Sequence, residues 1–153
     1  MNKTWIRWTV GASVALLLAA AAIAVAQGGA LTRIVARPAD LKFNAMPNGT
    51  YQASVVGDVT KAGFYAARTK LPAGLRIPPH FHPDERIVLV VSGTLLVGYG
   101  ERFDEAKMME LPAGSVFTEP ARQSHFTWAK DGEVVLHVTG LGPSATTWLD
   151  QKK

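Results

Sequence analysis

The sequence predicts an all-β protein, a sandwich or closed barrel, and three observations point there. Past Asn48, short runs rich in Val, Ile, Phe and Tyr follow one another at close intervals. Clusters of Gly, Pro, Asp and Ser separate them as turn signals. Only Asp104 to Glu110 has a helical look in this region, and it is a turn or two long. With 153 residues, 48% of them hydrophobic, the chain can bury one core but hardly two.

The elements follow in order. "MNKTWIRWTV" opens with Lys3 and Arg7 and no acid, and Val10 to Ala26 is uncharged and rich in Ala, Leu and Val. This run ends in Ala24-Val25-Ala26 before Gln27, the small-residue pattern that a signal peptidase reads. Residues 1–26 are therefore expected to be a signal peptide, with the mature chain starting at Gln27 in the periplasm or outside the cell. An uncleaved membrane anchor is the alternative, since no charge stands between Arg7 and Arg33. Residues 27–50 form a lead-in, mixed and irregular from Leu31 to Asn48.

Strands are then predicted over 51–56, 63–69, 87–91, 94–97, 115–118, 125–128, 134–139 and 146–149. "LPAG" occurs twice, at Leu71–Gly74 and Leu111–Gly114, each time ahead of a strand and a histidine. The echo suggests two similar corners of one barrel.

Charge and composition exclude some functions. Without Lys3 and Arg7, 14 basic residues face 12 acidic ones, and no Lys/Arg cluster makes a nucleic-acid footprint. There is no cysteine, so a metal site must be built from histidine and carboxylate.

Histidine is scarce, four in the chain, yet "IPPHFHPDERIVLVVSG" (77–93) holds two of them among prolines. At strand spacing, His80 and His82 project from one face. His125, in "EPARQSHFTWA", opens another strand. Two imidazoles from one strand and a third from a neighbour make a facial set suited to Fe, Mn, Ni, Cu or Zn. The bland reading, polar residues on an exposed strand end, weakens because three of four histidines follow the two repeated turns.

These residues carry a resemblance. Gly74-x5-His80-x-His82, closing at Gly93, resembles the first motif of the cupin superfamily, and Gly114-x5-Pro120-x4-His125 the second. The resemblance runs from Ala53 to Thr139, and "SGT" at 92–94 with the closing "GLGP" is similar to small single-domain bacterial cupins. It implies a cupin-type jelly-roll β-barrel over 51–150, with a divalent transition metal held in its mouth by His80, His82 and His125.

The departures matter too. The pattern expects a glutamate ligand at position 86, and Arg86 stands there, with Glu85 one step early. If Pro83 introduces a bulge, Glu85 turns inward as a fourth ligand and Arg86 goes to solvent. If the strand runs regularly from His82, Arg86 faces the cavity instead. The cost of a buried arginine without a carboxylate partner favours Glu85 inward. Arg122 stands where a glycine is usual, and Ala129 where an asparagine is common. His137, in "VVLHVTG", reads as a core histidine bonded to a backbone carbonyl or, more sharply, as a lining residue of the pocket.

The resemblance implies a metal-dependent enzyme of oxygenase or isomerase type acting on a small molecule, with no catalytic residue assigned beyond the metal set. Three histidines without a carboxylate resemble the thiol and diketone dioxygenases of this class. The rival is a non-catalytic domain that binds or senses a small molecule in the same barrel. The expected partner is that small molecule, not nucleic acid, with a homodimer as a possible assembly and membrane contact only if the leader stays uncleaved.

Overall fold

A computed structural model describes residues 31 and 33–149; the signal segment and Gln27 lie outside the described residues. Eleven strands run in the order β1 (Asn44–Ala45), β2 (Tyr51–Val56), β3 (Gly63–Leu71), β4 (Arg76–Phe81), β5 (Arg86–Ser92), β6 (Thr94–Tyr99), β7 (Met109–Pro112), β8 (Val116–Glu119), β9 (His125–Trp128), β10 (Val134–Gly142) and β11 (Thr147–Trp148). They form two antiparallel sheets, β1-β2-β3-β10-β5-β8 and β11-β4-β9-β6-β7. The all-β expectation holds, and the two sheets make a jelly-roll barrel.

Alternation along the central strands builds the core. On β5, Val88 and Val90 are fully buried while Ile87 and Val91 face out; on β6, Leu95 and Val97 are fully buried. They cluster with Tyr65, Leu71, Ile77, Val134 and Leu136, drawn from both sheets. Each fully buried Val or Leu contributes about 1.5–3 kcal/mol of transfer free energy. The outer face of the six-stranded sheet shows Phe64, Ile87, Val116 and Leu141 to solvent.

Three strands were absent from the expected set, each for a local reason. β7, "MELP", has weak strand propensity and lies at the edge of the five-stranded sheet, where its pairing with β6 decides its conformation. The helical reading of 104–110 shrinks to a 3-10 turn at Glu105–Lys107, capped by the Asp104 side chain. β1 is two residues of the lead-in that pair with β2. β4 contains Pro78 and Pro79, which remove two donors from the ladder. The β4–β9 register shifts between Ile77 and His80, so the prolines occupy the irregularity.

The two "LPAG" copies are equivalent corners. Leu75 N–H donates to Pro72 O at 3.1 Å and Ser115 N–H to Pro112 O at 3.0 Å, with Gly74 and Gly114 at φ +80° and +91°. Each glycine occupies the left-handed third position of its β-turn.

Candidate metal centre

His80 closes the irregular part of β4, His82 follows just beyond its end, and His125 begins β9 as the register partner of His80. All three are buried. Their ring centroids are 4.3 Å apart for His80 and His125, 4.9 Å for His80 and His82, and 5.3 Å for His82 and His125. One ring nitrogen from each lies within 4.8 Å of the others, so the three could hold a metal ion.

Backbone carbonyls set the orientation. His80 Nδ1 meets Pro78 O at 2.8 Å, His82 Nδ1 meets Ala145 O at 2.8 Å, and His125 Nδ1 meets Gln123 O at 3.1 Å. A carbonyl can only accept, so each Nδ1 carries the proton and each Nε2 is left for the centre. Burial, and then the neighbouring His125, lowers the His80 pKa to about 4. Burial, and then Arg86, lowers His82 to about 4.

A fourth group faces them. Glu119, the last residue of β8, is buried, with Oε1 3.4 Å from His125 Nε2 and Oε2 3.6 Å from His82 Nε2. Burial alone would raise its carboxyl; close contact with His125 and the charge of Arg86 outweigh burial and hold it at about 2. His125 Nε2 and Glu119 Oε2 are both buried and lack a well-formed hydrogen bond. Two such atoms turned toward one centre fit a cation between them, since an unmatched buried polar atom costs about 1–3 kcal/mol. Imidazole nitrogen and carboxylate oxygen together suit a divalent transition ion.

The expectation for residues 85 and 86 is reversed. Glu85 is exposed and stands outside the histidine cluster, whereas Arg86 is largely buried and lines the barrel cavity. The chain makes no bulge that turns Glu85 inward, because Arg86 is not left without carboxylates. Its guanidinium lies 3.4 Å from Asp84 and 3.5 Å from Glu119. Asp84 is itself buried, accepts from Tyr65 Oη at 2.6 Å and Ser144 Oγ at 2.5 Å, and also takes Arg86 Nε. Ser144 accepts a further hydrogen bond from Arg86 Nη2. Tyr65, pushed up to about 12 by burial and by Asp84, stays a neutral donor.

His137 does not line the cavity. Leu136 and Val138 do, and the alternation of β10 sends His137 to the outer face of its sheet, opposite Arg68 in register. Burial and then Arg68 lower its pKa, and its Nδ1 has no partner. Arg122, at the usual glycine position, has φ +61° and donates its N–H to His82 O at 2.7 Å. The left-handed backbone persists there although the side chain disfavours it.

His80, His82 and Glu119 open on a cavity of 390 Å³. Leu71, Ile77, Leu136 and Val138 form its apolar wall, and Gln52, Thr69 and Thr127 add polar groups. Trp148, half-exposed on β11, lies against His80 with ring centroids 5.0 Å apart. Sequence reasoning overlooked Glu119, Ser144 and Trp148. For Glu119 one signal existed: it is the only acid between Glu110 and Asp131, next to the motif proline Pro120.

Fold and site together define a class, a small jelly-roll barrel with an imidazole cluster inside its mouth. Residues 67–140 match the cupin domain family model, which supports membership of the cupin superfamily, and the solved structures the chain resembles share this fold. A germin-like protein of Oryza sativa subsp. japonica (germin-like protein 9-3) is 30% identical over 82 residues, 53% of this chain and 38% of that protein. The chain thus spans well under half the length of this curated relative. The polyketide cyclase RemF of Streptomyces resistomycificus superposes with TM-score 0.63 at 16% identity, over 78% of this chain and 89% of RemF. An oxalate oxidase superposes with TM-score 0.57 at 24% identity, over 75% of this chain and 62% of the oxidase.

Proposed function

We propose that the protein is a metal-dependent cupin enzyme of oxygenase or isomerase type, acting on a small oxygenated molecule in the barrel cavity. The observation that carries this reading is the set of three imidazoles whose Nδ1 protons are fixed by Pro78, Gln123 and Ala145, turning the other ring nitrogens toward one point. Likeness to an oxalate oxidase supports an enzyme rather than a bare binding domain. When bound, a divalent transition ion supplies a Lewis acid or a redox couple to a substrate oxygen.

The chain's own residues do the rest. Leu71, Ile77, Leu136 and Val138 exclude water from one side of the substrate, while Gln52 and Thr127 offer hydrogen bonds that orient it. Arg86 is committed to Asp84 and Glu119, so it is not a free anchor for a substrate carboxylate. We also infer that the protein works outside the cytoplasm after cleavage before Gln27; the mass of the fractionated protein tests that.

The activity test uses the full chain loaded with Fe(II) or Mn(II) and offered hydroxy acids, diketones and thiols. Oxygen uptake or substrate isomerisation should appear with the ion and fall at least about 100-fold in His125→Ala. Saturable binding of these compounds without turnover would instead favour the sensing domain.

A further inference from the structure

Glu119 belongs to a strand on which the sequence motifs place no acidic ligand, yet its two oxygens face two different histidines. Oε1 is 3.4 Å from His125 Nε2, and Oε2 is 3.6 Å from His82 Nε2. Neighbouring donor atoms in a shell with bonds of about 2.1 Å stand about 3 Å apart, so Glu119 is a few tenths of an ångström beyond ligand spacing from each of these two histidines. Glu119 has 9% of its side chain exposed, and its Oε2 has no hydrogen-bond partner. If the carboxylate served only to neutralise Arg86, that oxygen should make a good hydrogen bond to the guanidinium. It lies 3.5 Å from Arg86 Nη1 without making one. Asp84 already pairs with the same arginine, and with Tyr65 and Ser144.

Register explains how the carboxylate comes to be there. Arg86 of β5 and Glu119 of β8 are direct cross-strand partners, so their side chains rise side by side from one face of the sheet. Exchanging which of two such positions bears the acid moves the carboxylate by one strand spacing and keeps it on the cavity side. Asp84, Arg86 and Glu119 together leave one net negative charge beside the histidines.

We propose that Glu119 is the fourth protein ligand of the ion, supplied by β8, and that Arg86 is a positioning residue holding it in place. This rests on the reading that His80, His82 and His125 bind the ion, and the experiment separates the two. Co(II) affinity is measured by chelator competition, with the Co(II) absorption spectrum, for untagged full chain: wild type, His80→Ala, Glu119→Gln and the double variant Arg86→Gln/Glu119→Gln. The double variant removes one cation and one anion together, and Asp84, which loses Arg86, keeps its hydrogen bonds from Tyr65 and Ser144. Glu119→Gln and the double variant should both lose more than about 100-fold in affinity, beyond the ~10–100-fold cost of losing an outer partner, and both should shift the Co(II) bands. Wild-type affinity and spectrum in the double variant would overturn the proposal while leaving the three histidines in place. Failure of the wild type itself to bind Co(II), at the level of His80→Ala, would overturn the metal reading and the proposal together.

Discussion

At the scale of single residues, a charge in this barrel is settled by its neighbours more than by its own parity. An inward Arg86 looked too costly from its own strand alone, because the carboxylates that balance it could not be placed. Asp84 turns in two residues earlier and Glu119 arrives from across the sheet, so the buried cation is matched on both sides. Two of the cluster's histidines show the opposite device, kept neutral by burial. His80 and His82 have folded-state values of about 4 against an ordinary 6.5, so the unfolded chain binds more protons between those values. Their stabilising contribution is complete above pH 6.5 and is lost as pH falls through about 4. Urea unfolding of EDTA-treated protein should therefore lose about 2–3 kcal/mol between pH 7 and pH 5.5, above the range in which carboxylates titrate. A stability constant over that interval would contradict the neutral-histidine account.

At the scale of strands and turns, the repeated "LPAG" corners and the alternation in β5, β6 and β10 were legible because each is local. So was the convergence of His80, His82 and His125, which needs only strand spacing and one neighbouring strand. The pairing of β5 with β8 was not legible, since register depends on the whole sheet, and Glu119 was lost with it. β4 was hidden by its prolines, which fit only because the ladder is already interrupted there. Turn residues offer a direct check on backbone strain. Arg122 holds φ +61° beside His82, and a left-handed residue other than glycine costs about 1–2 kcal/mol. Arg122→Gly should raise stability by about 1 kcal/mol. Gly93→Ala should lower it by more than about 2 kcal/mol, because its φ is +79° and an added Cβ would meet Glu133 O at 2.4 Å. Equal unfolding midpoints for both variants and wild type would show that neither turn carries the strain assigned to it.

At the scale of the molecule, two sheets close over one core, and the residues between them divide by depth. Val88, Val90, Leu95 and Val97 fill the interior; the histidines and Glu119 occupy the mouth; the segment around Ser144 and Ala145 crosses it and fixes Asp84 and His82. An ion bound only by the folded barrel adds its binding free energy to folding, about 2.7 kcal/mol at a hundred times its dissociation constant. The central claim is that this mouth is a metal site. It is tested most directly by the transition-metal content of protein purified without a histidine tag, measured per chain for wild type and His82→Ala. The account predicts one ion per wild-type chain and almost none in the variant; equal metal content in both, or none in either, would contradict it.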